Sequence, residues 1–199
     1  MFPTFWFSVA DLDNADACAL NRRWGNLTNV YNRVVLRDES FDINVWWALN
    51  TTTPLDVVWS IRMDRTNGNE VARLVALKTA RLVYAWFVEH YPDDTQLQPF
   101  MEYIEQIAAR PDMDVTPQDF DETYLALYKL ELRYYDACQW LRRRVSRSLM
   151  CIVDCFCRDT SKESSTYAYF AADYADDFES LMPEQIRDYI FELYGIQPT

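Results

Sequence analysis

The chain contains three glycines in 199 residues: Gly25, Gly68 and Gly195. Tight two-residue hairpins and phosphate-cradling loops both need residues at positive φ, which glycine adopts most readily. Hairpin-rich sheets and nucleotide-loop folds are therefore disfavoured. What remains for a chain that is half hydrophobic is a helical fold with one buried core. One α-helical domain over 1–199 is expected, because no linker or low-complexity stretch divides the sequence.

Start and stop signals for helices recur along the chain. "DNADACALNRRWG" runs from a cap at Asp13 or Asn14 to Gly25, and "SFDINVWWALN" can begin at Ser40. "TPLDVVWSIRMDRTNG" places Thr53 as N-cap, Pro54 at the first helical position and Asn67-Gly68 as the stop. Asn69 then caps a helix that Pro92 ends. Its apolar residues Val71, Leu74, Val75, Leu77, Ala80 and Leu82 recur at helical period. Another apolar period includes Leu97, Met101, Ile104 and Ile107.

From Thr116-Pro117 to Cys157 there is neither glycine nor proline. Such a stretch reads as one helix of about 40 residues, near 60 Å long, or as a helix bent without a visible signal. Two shorter helices follow, in "STYAYFAADYADDFESL" and from Pro183 to Gly195. The segment 29–38 is the one place where a strand is allowed. The fold expected is an all-α bundle of seven or eight helices with one long central helix.

"CIVDCFC" concentrates Cys151, Cys155 and Cys157 in seven residues. Cys151 and Cys155 are one turn apart on a helix, but Cys157 lies about 200° round from Cys155. An unbroken helix cannot bring all three to one ion, and the single histidine, His90, is distant in sequence. The thiols are expected to pack as small hydrophobes. No CxxC motif supports redox chemistry, and five cysteines in apolar surroundings fit a reducing cytoplasm. His90 is expected to complement the end of its helix. A catalytic triad would have to be built around it, and no nucleophile elbow exists. Cofactor and metal sites are thus not expected. Arg142, Arg143, Arg144 and Arg147 read as partners for acids on neighbouring helices.

Net charge is −12, from 31 acids against 19 bases. Direct binding to nucleic acid depends on neutralising phosphates, so this chain is a poor candidate for it, and equally for an anionic membrane. The N-terminal segment lacks the basic region of a signal peptide, and no apolar run is long enough to span a bilayer. Between Asp173 and Thr199 there are seven acids and one base, a net of −6. Asp173, Asp176, Asp177 and Glu179 are followed by Glu184, Asp188 and Glu192, whose i,i+4,i+8 spacing makes one helical stripe. Like charges at this spacing cost a helix a few tenths of a kcal/mol, roughly. These seven residues are the candidate partner-binding set, facing a protein with a basic surface.

"NADACALNRRWGNL", "SFDINVWWAL" and the run through "EHYPDDTQLQPFMEYIEQI" carry a family resemblance. With Ala17-Cys18, Trp46-Trp47-Ala48-Leu49 and Pro92-Asp93-Asp94 in matching places, positions 14–110 resemble immunity-type helical proteins of bacteria and phages. The chain departs from that pattern in its heavier aromatic content, its arginine- and cysteine-rich helix and its acidic end. The resemblance implies an α-helical, non-catalytic protein that neutralises another protein. With the charge, it leads to the expectation of an acidic inhibitor of a toxin, nuclease or anti-phage defence complex, working by nucleic-acid charge mimicry. Two alternatives stay open. One is a structural helical subunit of a homo-oligomer or virion, and the other is an enzyme using paired carboxylates.

Overall fold

The computed structural model describes residues 1–7, 41–43, 47, 53–109, 117–157, 161–176, 178 and 182–197. Seven α-helices lie within them: α1 (Pro54–Ser60), α2 (Gly68–His90), α3 (Gln98–Ala109), α4 (Pro117–Asp136), α5 (Trp140–Phe156), α6 (Ser161–Ala175) and α7 (Met182–Tyr194). The fold is the all-α bundle expected, but its longest described helix is α2, with 23 residues, and not the segment from 117 to 157. A two-residue antiparallel ladder pairs β1 (Trp6–Phe7) with β2 (Phe41–Asp42). The helix expected from Ser40 starts later: Phe41 and Asp42 are extended, while Ile43 and Trp47 are helical. The helix near Asp13 and the strand at 29–38 lie outside the described residues. No helix among the described residues is long and apolar enough to cross a membrane.

Helix α1 starts where its sequence signals place it. The Thr53 hydroxyl accepts from the Asp56 N–H, while Asp56 accepts from the Thr53 N–H at 2.8 Å, completing a capping box. Its end differs from the expectation. A 3-10 turn over Ile61–Met63 follows, and the buried Asp64 carboxylate accepts from the N–H groups of Thr66 and Asn67. This side-chain turn ends the helix before Gly68 is reached. Asn67 then becomes the N-cap of α2, and Gly68 opens that helix instead of closing the previous one.

The centre of the bundle is built from small residues. Ser164, Ser165, Ala168, Ala171, Ala172 and Ala175 form one face of α6, and all six are fully buried. They pack chiefly against α5 and α2, where Val71, Ala72, Val75, Ala76, Ala80 and Val83 are equally inaccessible. The Ser148 hydroxyl of α5 donates to the Ala171 carbonyl at 3.0 Å, a contact that large side chains would hold apart. The aromatic residues of α6 are therefore not its core. Tyr167, Tyr169 and Tyr174 are half-buried at the edges, and Phe170 is exposed.

An aromatic cluster ties the N-terminal segment to α7. Phe2, Phe5, Trp47, Phe191 and Tyr194 have neighbouring ring centroids 5.4 to 6.2 Å apart. The Tyr194 hydroxyl donates to Asp64 at 2.7 Å, locking α7 onto the α1–α2 turn. Burial, and then the Asp64 charge, push the Tyr194 hydroxyl well above the ordinary tyrosine range, so it stays a donor.

The segment from 117 to 157 is two helices, not one. Residues 137–139 reverse the chain, so that α5 packs back along α4. The Gln139 N–H donates to the Tyr134 carbonyl at 2.8 Å and the Cys138 N–H to the Tyr135 carbonyl at 3.0 Å. These two bonds form a Schellman cap, with Cys138 in the left-handed region at φ 55°. Helix α7 ends in the same pair of bonds, from Ile196 to Phe191 and from Gly195 to Glu192, with Gly195 at φ 70°. A Cβ on Gly195 would also meet the Met1 side chain. The two helix ends thus share one geometry, but only one carries the residue suited to it.

A left-handed non-glycine residue costs about 1–2 kcal/mol, partly offset by the greater unfolded-state freedom of glycine. Cys138→Gly is therefore expected to stabilise the protein by roughly 0.5–1 kcal/mol and raise Tm by about 1–4 °C. A thermal melt followed by circular dichroism checks this; a lowered Tm would show that the exposed thiol makes a contact worth more than the strain.

Candidate partner-binding surface

The arginines come first, because they decide how much of the acidic charge reaches solvent. Arg143 Nε lies 2.6 Å and Arg147 Nε 2.9 Å from the same oxygen, Glu131 Oε1, whose side chain is 3% exposed. The reversal at Cys138 makes this possible by bringing the first turns of α5 alongside the last turns of α4. Arg142 pairs with Asp94 at 3.0 Å, and the Tyr134 hydroxyl donates to that same Asp94 oxygen. Burial, then the Asp94 charge, raise the Tyr134 hydroxyl far above its ordinary value.

Three guanidinium groups of the run also stack on aromatic rings: Arg142 on Tyr91, Arg143 on Tyr135 and Trp140, and Arg144 on Trp140 and Tyr174. The arginine run is therefore an internal brace between the α2–α3 turn, α4 and α5.

The acids of the last two helices are placed differently. Asp173 is exposed on α6 and Asp176 is exposed just past its end. Asp177 and Glu179 lie outside the described residues. On α7, Asp188 and Glu192 are exposed one turn apart. Asp188 holds Arg187 through Nε and Nη2 at 2.9 and 2.7 Å, an exposed local pair worth little. Glu184, the third member of the stripe, is half-buried in the first turn of α7, with Oε2 shielded from solvent. The stripe thus presents Asp188 and Glu192 outward, with Glu184 set back. Between these two lies Tyr189, with the Lys78 ammonium 5.7 Å from its ring centre.

The remaining sequence candidates are accounted for by packing. His90 is the last residue of α2; its Nδ1–H donates to the Trp86 carbonyl at 2.9 Å, and its ring stacks on Trp86 at 4.2 Å. Cys155 is fully buried, and burial raises its thiol well above the ordinary range. Cys151 is half-buried, and burial pushes its thiol up to about 12. No group of three or more metal-ligating side chains gathers among the described residues. A groove of about 360 Å3 runs between the N-terminal segment and the α1–α2 turn. Its one carboxylate, Asp64, is already committed to Tyr194 and two backbone N–H groups.

One surface escaped the reading of the sequence. Helix α4 has two apolar stripes: Leu127, Leu130 and Tyr134 are buried, while Leu125, Tyr128, Leu132 and Tyr135 are exposed. The signal was present in "LALYKLELRYY", where apolar residues recur too often for a helix with a single buried face.

No family model matches this chain, and neither a curated protein nor a solved structure is detectably similar to it.

Two outcomes are expected from the geometry. Replacing Arg143 and Arg147 with Met leaves the Glu131 carboxylate buried and unpaired, and should cost roughly 3–5 kcal/mol in urea denaturation. Adding Glu131→Met should recover most of that loss; no recovery would mean that the arginines stabilise the fold through contacts other than Glu131. In alkylation at pH 8, a thiol raised to about 12 is ionised in about one molecule in 10^4. Peptide mapping should therefore find Cys138 modified within minutes, and Cys151 and Cys155 only after unfolding.

Proposed function

We propose that this protein is an acidic, non-catalytic inhibitor that binds a basic surface on another protein, of the kind that ordinarily holds nucleic acid. The observation that carries this reading is the separation of charge. Arg142, Arg143 and Arg147 are engaged with Asp94 and Glu131 within the fold, while Asp173, Asp176, Asp188 and Glu192 stand on its outside. Between Asp173 and Thr199 seven acids face one base, Arg187, which Asp188 holds, so a net charge of −6 remains in that segment. Carboxylates fixed on helices lose little freedom on binding and oppose a cationic groove much as phosphates do. The resemblance of positions 14–110 to immunity-type helical proteins supports neutralisation of a toxin, nuclease or defence complex as the purpose.

Binding of this kind weakens with salt. The immobilised protein should retain a nucleic-acid-binding protein from cell extract at about 50 mM salt and release it by about 200 mM. The purified partner should lose its nucleic-acid binding when this protein is added. Asp176→Lys, Asp188→Lys and Glu192→Lys together should abolish both effects, since all three residues are exposed and none supports the core. A partner whose affinity ignores both salt and charge reversal would sink the proposal.

A further inference from the structure

The exposed stripe on α4 has the spacing of a coiled-coil seam. Leu125, Tyr128, Leu132 and Tyr135 follow one another at intervals of three, four and three, and Trp140 extends the patch across the reversal. Their exposures are 49, 44, 41 and 57%, and 54% for Trp140. With aromatic side chains offering about 150–250 Å2 each, the patch comes to roughly 500 Å2. That is at the upper end of what a monomer leaves in water, and it would form the apolar centre of an interface burying about 800 Å2 per partner.

The charges around this patch differ from those of the rest of the molecule. Asp121, Glu122, Lys129, Arg133 and Asp136 flank the stripe, all are exposed, and they sum to −1 in a chain of net −12. Two copies therefore repel one another far less here than at the acidic faces of α6 and α7. An antiparallel pairing about the middle of the seam, at residue 130, sets Leu125 of each copy opposite Tyr135 of the other, and Tyr128 opposite Leu132. A parallel pairing in register would set Lys129 and Arg133 beside their own duplicates. A two-fold axis requires just such a self-complementary patch.

We infer that α4 is a self-association face, through which two copies of this chain pair antiparallel by the Leu125–Tyr128–Leu132–Tyr135 seam. This inference stands apart from the acidic-surface reading and uses none of its residues.

Sedimentation equilibrium at about 100 μM, above a micromolar dissociation constant, should give about twice the monomer mass of 23.6 kDa. Raising salt should not dissociate the pair, because its centre is apolar. Leu125→Glu with Leu132→Glu should return the mass to that of a monomer while helicity and Tm stay close to wild type, both side chains being on the outer face. Arrangement is tested by mixing Leu125→Cys protein with Tyr135→Cys protein, both carrying Cys138→Gly, and oxidising. A disulfide-linked pair of unlike chains supports the antiparallel seam. A wild-type monomer at this concentration overturns the inference, as does a dimer that survives the double glutamate variant. A dimer that forms only like-chain disulfides refutes the antiparallel arrangement.

Discussion

The close approach of α6 to α2 and α5 is the constraint on which the rest of the bundle depends. Two helices can be held at the short end of the usual 8–10 Å separation only if the residues between them are small. Ser164, Ser165, Ala168, Ala171, Ala172 and Ala175 meet that requirement along the whole buried face of α6. Because α6 occupies so little width, the wide side chains must go elsewhere. Phe87, Leu97, Ile104, Leu127, Leu130, Leu149 and Ile152 fill the spaces between the other helices. The hydroxyls on the small face are satisfied across the gap, Ser148 by the Ala171 carbonyl and Ser164 by Asn69 at 2.5 Å. A buried hydroxyl left without such a partner costs about 1–3 kcal/mol, so these bonds also fix the relative rotation of the helices.

The same architecture sorts charge. Glu131 and Asp94 are nearly inaccessible carboxylates, and each is met by guanidinium groups from the start of α5. Placing the cations there leaves the outer faces of α6 and α7 acidic. Surface character is thus settled partly by a chain reversal far from it in sequence.

Much of this was legible from residues alone, for reasons that can be named. Thr53-Pro54 and Asp56 announce α1 because capping is a local interaction, and Pro92 bounds α2 because proline cannot continue a helix. The pairing of arginines with acids followed from their number on an acidic chain. Other features depend on partners distant in sequence. The reversal at Cys138 carries neither glycine nor proline, since a cysteine takes the left-handed position under tertiary constraint. The core face of α6 is invisible to hydrophobic periodicity because alanine and serine barely register beside Tyr167, Phe170 and Tyr174. Asp64 ends α1 early through a turn that gains its worth from Tyr194, 130 residues later. At the candidate surface, the acids of α6 and α7 could be read as a stripe, but only packing shows that Glu184 is set back.

The long-range bond from Tyr194 to Asp64 has a consequence for how the chain is closed. The Phe2 N–H donates to the Leu193 carbonyl at 2.7 Å, and the rings of Phe2 and Phe5 lie against Tyr194. Helical proteins generally fold fast because their contacts are local, but this closure joins residues nearly the whole length of the chain apart. Without α7, Asp64 would keep only the Thr66 and Asn67 N–H groups, and the rings of Phe2 and Phe5 would lose the cover of Tyr194. Helix α7 is therefore a latch that closes the fold across its widest span of sequence.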